Sequence, residues 1–248
     1  MKDYILEACI DSTESAVIAT LAGANRLELC GNLMIGGTTP SLALYKQIRK
    51  TCENRIHVLI RPRFGDFCYT EHELSIMCEE IRMFKEHGAD GVVIGALAPD
   101  GSVDWKAMDR MIAAADGLWV TMHRAFDMCK DPYRELERCV EHGVSCILTS
   151  GQENYCTDGL ACLKKLIEIA DDRIQILVGS GVDAGVIAKV YEETGAAVYH
   201  MSGKEVLDSE MIYRKENVYM GLDGLSEYTV WRTKKENIEA VVAVLKQL

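Results

Sequence analysis

The sequence predicts a single (β/α)8 barrel of the TIM type over residues 1–248, with a long excursion between the eighth strand and the last helix. Strand-like and helix-like segments alternate along most of the chain, and 248 residues is an ordinary length for such a barrel. No Ser/Pro-rich linker divides the sequence. A doubly wound open sheet is the alternative, but without a strand-anchored G-x-G-x-x-G it would lack a dinucleotide site.

Eight short apolar segments have the length and composition of buried strands. Four of them run into charge toward their C-terminal ends, and an unpaired buried charge is costly, so these ends indicate a shared polar pocket. The predicted strands are Tyr4–Cys9, Arg26–Cys30, Ile56–Arg61, Gly91–Ala96, Leu118–His123, Cys146–Ser150, Ile174–Gly179 and Ala197–Ser202.

Amphipathic stretches of helical length, such as Leu74–His87 and Tyr133–His142, separate the strands. Several of these stretches begin with an N-cap, capping-box or N1-proline signal. The signals are Thr39-Pro40, Thr70-x-x-Glu73 and Asp131-Pro132. A helix-ending glycine precedes a strand repeatedly, and each interval between these glycines holds two strand–helix units. They are Gly23, Gly88, Gly143 and Gly195.

The segment 203–232 departs from this alternation, because it has no clear strand and only fragmentary helical periodicity. Loops between strands and helices of a barrel usually run about 2–6 residues. We expect this excursion to be either a surface or subunit-contact segment, or a lid over the mouth of the barrel.

Composition limits the partners and the location. A net charge of −11, a pI near 5.1 and the absence of a basic run weigh against nucleic-acid binding. No apolar stretch approaches the roughly 20 residues of a membrane span, and charges interrupt the N-terminus too early for a signal peptide. Ten cysteines without a C-x-x-C pair then predict reduced thiols in a cytoplasmic protein.

Strand parity predicts which side chains face the barrel lumen, since they alternate along a strand. Polar residues fall on the inward parity of five strands. The inward sets are Glu7 and Cys9; Arg26, Glu28 and Cys30; His57, Leu59, Arg61 and Arg63; Thr121 and His123; and His200 and Ser202. These residues are expected to form one inward-facing ring.

Two interpretations of this ring stay open. In one, Glu7 and Glu28 are neutralised by Arg61 or Arg124, and the ring is a structural ion-pair network. In the other it is a catalytic pocket. There Glu7 or Glu28 is the general base, His123 the acid, and Arg61 binds an anion.

Glycine and serine follow the seventh and eighth strands, where barrels often bind a phosphate through backbone N–H groups. Tight turns alone would also explain these glycines. The candidate ligand-binding residues are Gly179, Ser180, Gly181, Ser202 and Gly203, joined by Ser150 and by Arg63 and Arg124 at strand ends.

Cys9 and Cys30 come from adjacent strands with the same parity, so their sulfurs are expected to approach each other. Two soft thiolates suit Cu(I). Two reduced cysteines without a ligand are the alternative.

Four motifs resemble the CutC family of copper-homeostasis proteins: R61-P-R-F-G-D-F-C-Y69, H123-R-A-F-D-M128, L148-T-S-G151, and R26-L-E-L-C30 followed by G36-G-T-T-P-S41. The resemblance runs from about Glu7 to Tyr228. It implies a (β/α)8 barrel, a cytoplasmic homo-oligomer (often a dimer) and a role in copper handling, with Cu(I) bound by Cys9 and Cys30.

Two functions are therefore carried forward from the sequence. The first is a binding protein that holds Cu(I) at the barrel mouth. The second is an enzyme of undefined reaction, without an organic cofactor, that acts on a small anionic or phosphorylated metabolite.

Overall fold

A computed structural model describes residues 4–218, 220–221 and 224–248, and in it eight parallel strands close into a barrel in chain order. The first strand pairs with both the second and the eighth, so the sheet has no open edge. The strands are β1 (Ile5–Ile10), β2 (Arg26–Leu29), β3 (Arg55–Leu59), β4 (Gly91–Ile94), β5 (Trp119–Met122), β6 (Cys146–Thr149), β7 (Gln175–Val178) and β8 (Val198–Met201). The predicted (β/α)8 barrel is confirmed.

In the described part of the chain eight α-helices follow the strands, and the capping box predicted at Thr70 and Glu73 is present at the start of the third. Two 3-10 helices, Leu33–Ile35 and Arg124–Met128, lie in loops after β2 and β5. The helices are α1 (Thr13–Leu21), α2 (Leu42–Arg49), α3 (Glu71–Glu86), α4 (Trp105–Ala115), α5 (Pro132–Glu141), α6 (Leu160–Ala170), α7 (Ile187–Thr194) and α8 (Lys235–Leu245). None of those in the described ranges is long and apolar enough to cross a membrane.

The main hydrophobic core lies between the barrel and the helices. Outward-facing strand residues such as Leu27, Leu29 and Met122 are fully buried there. Two small apolar clusters lie apart from this core. Their members have the inward parity, as Cys9 and Leu59 do in one and Leu148 in the other. Polar side chains surround these clusters, and the candidate site lies among those polar side chains.

The excursion contains two strands that the sequence did not reveal. β9 (Lys204–Asp208) pairs antiparallel with β10 (Thr229–Thr233), and the prediction of no strand here was wrong. Most of their side chains are partly or fully exposed, so the ribbon lacks the apolar run of a barrel strand. β10 is joined to α1 by a hydrogen bond from the Thr233 backbone N–H to Ser15 Oγ (3.1 Å).

Candidate functional site

Glu7 lies in the middle of β1 and is the most heavily paired charge in the lumen. Its Oε2 accepts from Arg26 Nε at 2.5 Å, and its Oε1 accepts from His200 Nδ1 at 2.8 Å. His57 Nδ1 lies 3.9 Å from Oε2. Burial alone would raise the pKa of Glu7, but Arg26 and then His200 outweigh it and lower the pKa to about 2. Glu7 is therefore an ionised structural centre with little capacity left for substrate.

The ion-pair interpretation named Arg61 or Arg124 as the partners of Glu7 and Glu28, and the structure gives these carboxylates other partners. Glu7 pairs with Arg26 because β1 and β2 place these two residues opposite each other in register. Glu28 instead faces His200, whose Nε2 lies 3.7 Å from Glu28 Oε2. The choice of partner follows from strand register, which residue types alone do not determine.

The sulfurs of Cys9 and Cys30 approach to 3.8 Å, which confirms the predicted proximity. Both cysteines are buried, and Cys30 Sγ also lies 3.6 Å from the Ile10 carbonyl oxygen. The hydrogen bond with Cys30 and burial together raise the pKa of the Cys9 thiol well above its ordinary value. In the free protein Cys9 is therefore a neutral thiol at pH 7.

Glu28 and His200 complete the group around Cys9. Among the residues described, one ligand atom each from Cys9, Glu28 and His200 lies within 4.8 Å of the other two, so these side chains could hold a metal ion. Burial raises the pKa of Glu28. Burial would lower the pKa of His200, but the charges of Glu28 and Glu7 outweigh it and raise that pKa.

Arg61 extends from the loop after β3 and is held by backbone carbonyls. Its Nη1 donates to the oxygens of Gly36 and Gly37 at 3.3 and 3.1 Å, and its Nη2 donates to Gly65 at 2.9 Å. The guanidinium carbon lies 5.0 Å from the centre of the Phe67 ring. Within the described chain it has no carboxylate partner, although Arg61 is only 8% exposed.

His123 packs against Phe67, the same ring that contacts Arg61, and the two ring centres are 4.9 Å apart. The Ala125 backbone N–H donates to His123 Nδ1 at 3.1 Å, which leaves the ring hydrogen on Nε2. Burial, and then the charge of Arg61, lowers the pKa of His123 to about 3. The ring is neutral at pH 7, which suits a hydrogen-bond donor better than the predicted general acid.

Arg124 is fixed at the rim by side chains from the loops after β5, β6 and β7. Its Nε donates to Asp127 at 2.7 Å, and its Nη atoms donate to Ser150 Oγ at 2.9 Å and Ser180 Oγ at 3.3 Å. Asp127 also accepts from the Ser150 backbone N–H. Ser150 is thus part of the support for Arg124 and does not border the site directly.

A cavity of about 900 Å³ opens at the C-terminal ends of the strands. Eight of the predicted residues border it: Cys9, Glu28, Arg61, His123, Arg124, Ser180, Gly181 and Ser202. His200, Asp127 and Lys204 also border it. Strand parity placed His200 in the inward-facing ring but gave it no chemical role, and Asp127 and Lys204 were not predicted. The inward parity of His200 was the signal that could have identified it.

The other predicted residues lie away from the cavity surface. Arg63 points to the outside, where it pairs with Asp66 and Glu73, since it follows the strand and no longer obeys its parity. Gly179 faces the Leu148 side chain, and Gly203 faces Ile238. Glu7 lies two residues before Cys9 on β1, and both Glu7 and Cys30 are buried and do not border the cavity. Among the described residues of the excursion, Lys204 borders the cavity. The described chain therefore favours the surface alternative over the lid.

Comparison with known proteins gives close relatives over almost the full length. A family model described as the CutC family matches residues 4–205. A CutC family protein of Histophilus somni (strain 2336) is 40% identical over 98% of this chain and 99% of its own. The copper homeostasis protein cutC homolog of Homo sapiens is 39% identical over 99% of this chain and 90% of its own.

Solved structures agree with the fold. The crystal structure of a CutC protein from Streptococcus agalactiae has a TM-score of 0.76 and 32% identity, and covers 81% of this chain and 99% of its own. KGPDC from Streptococcus mutans has a TM-score of 0.58 and covers 99% of both chains, but at 12% identity it shows only a shared fold.

Proposed function

This chain belongs to the CutC family, and on that basis we propose that it takes part in copper homeostasis by binding Cu(I) through the thiolates of Cys9 and Cys30. The relatives from Homo sapiens and Mus musculus carry the name copper homeostasis protein cutC homolog. Copper is the cargo of this protein, and the cavity at the strand ends is its route in and out.

The observation that carries this proposal is the 3.8 Å distance between the two sulfurs. If an ion lay about 2.3 Å from each sulfur, a typical metal–thiolate distance, the S–metal–S angle would be about 110°. Two soft ligands in a buried setting favour Cu(I) over the hard cations. The bent angle leaves room for a third ligand on the cavity side.

Binding of Cu(I) displaces the thiol protons. Because the pKa of Cys9 is raised, the ion must compete with a firmly held proton, and protons are released on binding. The affinity for Cu(I) is therefore expected to increase with pH across the neutral range.

The test is a Cu(I) competition titration with a chromophoric chelator under anaerobic, reducing conditions. Cys9→Ser with Cys30→Ser is expected to abolish one-to-one binding. Cys156→Ser is the matched control, because Cys156 is also buried but lies in the loop between β6 and α6, away from the thiol pair. Unchanged uptake by the double variant would exclude this site.

The cavity also favours a second candidate, an enzyme that acts on a small anionic or phosphorylated metabolite. The supporting observation is Arg61, a buried cation on the cavity wall that donates hydrogen bonds to uncharged carbonyl groups and has no carboxylate partner in the described chain. A buried charge without a counter-ion is costly, and a bound anion would supply one. Glu28, which borders the same cavity and whose pKa is raised by burial, is the candidate base.

A thermal-shift screen with phosphorylated and carboxylate metabolites tests this candidate. A true ligand should raise the melting temperature of the wild type and of Arg63→Met, but not of Arg61→Met. Arg63 is a suitable control because it lies outside the cavity and pairs with Asp66 and Glu73. Equal shifts in all three proteins would contradict the role of Arg61.

A further inference from the structure

We propose that Cys9, Glu28 and His200 form a second metal site, which shares Cys9 with the thiol pair. The site holds a divalent cation of the Zn²⁺ class and leaves one coordination position open to the cavity. Two of its three ligands, Glu28 and His200, differ from those of the Cu(I) pair, as do the ion and its chemical role.

The first support is the spacing of the donor atoms. The ligand atoms of the three residues all lie within 4.8 Å of one another, and His200 Nε2 is 3.7 Å from Glu28 Oε2. In a tetrahedral site with bonds of about 2.1 Å, a nitrogen and an oxygen are roughly 3.4 Å apart. The observed nitrogen–oxygen distance therefore exceeds the tetrahedral value by only about 0.3 Å.

The second support is the chemistry of the donors. One thiolate, one imidazole and one carboxylate form a mixed set of soft, borderline and harder ligands, which is typical of Zn²⁺. Cu(I), by contrast, needs mainly the two sulfurs of Cys9 and Cys30, which lie 3.8 Å apart. The ion that binds should therefore depend on which residues accompany Cys9.

The third support is the orientation of His200. Its Nδ1 donates to Glu7 Oε1 at 2.8 Å, and Arg26 holds Glu7 in place from the other side. A carboxylate that accepts from one imidazole nitrogen directs the other nitrogen toward a metal and fixes the ring. This gives Glu7 a positioning role, for which its position beneath the cavity is suited.

All three ligands also lie within strands of the barrel. They come from neighbouring strands, and the register places Cys9 opposite Glu28 and Glu7 opposite His200. Sites built on strands keep their geometry better than sites on loops.

The open position follows from the number of ligands. Catalytic zinc sites have three protein ligands and a fourth position for water or substrate, whereas structural sites use four protein ligands. Cys9, Glu28 and His200 all border the cavity of about 900 Å³. The fourth position would therefore take water or an oxygen of an anionic molecule, with Arg124 and Lys204 at the cavity rim.

Paired titrations with Zn²⁺ and Cu(I), each against a chromophoric chelator, test the proposal on the full-length protein. His200→Gln removes a ligand and should weaken Zn²⁺ binding by about 100-fold or more. Glu7→Gln removes only the partner that orients His200, and the loss of such a partner typically weakens metal binding by about 10–100-fold. Cu(I) binding by His200→Gln should remain. Cys30→Ser should have the reverse effect, with Zn²⁺ retained and Cu(I) lost.

These outcomes separate the two proposals. Zn²⁺ binding that survives in His200→Gln but fails in Cys30→Ser would overturn the mixed-ligand site. Failure of Cu(I) binding in the wild type, with His200-dependent Zn²⁺ binding intact, would overturn only the copper proposal. If His200→Gln does not fold, Co²⁺ is titrated into the wild type and its absorption spectrum is measured. The absence of a thiolate-to-Co²⁺ absorption band would contradict the site.

Discussion

Three basic side chains converge on Glu7 in the lumen of the barrel, and each approaches from a different strand. Arg26 from β2 is the fully charged member, while His200 and His57 come from β8 and β3. The arrangement holds a 1% exposed carboxylate ionised, although burial opposes its charge. At the scale of single residues, the lumen therefore depends on charge balance more than on apolar packing.

Removing one partner of this buried pair should reveal the balance. Arg26→Met is expected to lower the free energy of unfolding by about 3–5 kcal/mol, because it leaves the Glu7 charge uncompensated. Adding Glu7→Gln should recover part of that loss. Urea denaturation measures both, and Arg173→Met, which breaks an exposed pair with Glu137, should cost no more than about 1 kcal/mol. A loss in Arg26→Met as small as in this control would contradict the account.

His57 should make stability depend on pH. Burial lowers its pKa to about 4, so the folded protein keeps the ring neutral while the unfolded chain takes up a proton below about pH 6.5. Stability therefore falls as the pH drops from 6.5 toward 4, by about 3 kcal/mol for this group.

His57→Gln isolates this effect, since the other groups titrate in both proteins. The difference between the unfolding free energies of the wild type and His57→Gln is expected to change over pH 4–6.5 and to be constant above that range. A difference that is flat across the whole range would show that the His57 ring is not held neutral.

At the scale of elements, glycines at the two ends of β4 leave space for histidine side chains from the neighbouring strand β3 and from the residue just after β5. A Cβ on Gly91, at the start of the strand, would lie 2.8 Å from His57 Cδ2. A Cβ on Gly95, just beyond its end, would lie 2.5 Å from His123 Cε1. These glycines are needed for close approach, because both distances are far below van der Waals contact.

Gly95→Ala should therefore displace His123 from the cavity wall and cost about 1–3 kcal/mol of stability through overpacking. Gly221→Ala is the control, since no atom lies within 4 Å of its added Cβ. Urea denaturation gives the stability, and a crystal structure of Gly95→Ala gives the ring position. An unmoved imidazole with unchanged stability would refute the steric argument.

The sequence predicted the elements of the barrel well and the pairing inside it poorly, for a physical reason. Alternation along a strand is local, so it correctly placed Glu28, Cys30 and His123 on the inside. Strand register is a property of two separate segments, and it pairs Glu7 with Arg26. The ribbon of β9 and β10 escaped detection because its side chains face solvent.

At the scale of the whole molecule, the excursion leaves large apolar side chains uncovered. Ile212 is 98% exposed and Val206 is 63% exposed, and Met211, Tyr213 and Met220 also face outward. A cluster of exposed apolar residues is typical of an interaction surface. We expect a second copy of this chain to cover it, in agreement with the predicted homodimer.

Ile212→Glu with Val206→Glu should therefore convert a dimer into a monomer, because two charges would be desolvated at the contact. Light scattering coupled to size-exclusion chromatography measures the mass. Ile76→Glu on α3 is the control, since Ile76 is 51% exposed but belongs to a different part of the surface. A wild type that is monomeric, or a dimer that survives both charges, would contradict this interface.

The contact between Glu7 and His200 has a consequence for how the chain folds. The two residues are 193 positions apart, and they join the strand that begins the barrel to the strand that closes it. Contacts of such long sequence separation form late and slowly, because chain entropy must be lost first. An ion held by Cys9, Glu28 and His200 would stabilise the closed barrel, but it would hardly stabilise partly folded states in which β8 has not yet paired with β1. During refolding in the presence of Co²⁺, the rate at which the metal absorption band appears would therefore report the rate at which the barrel closes.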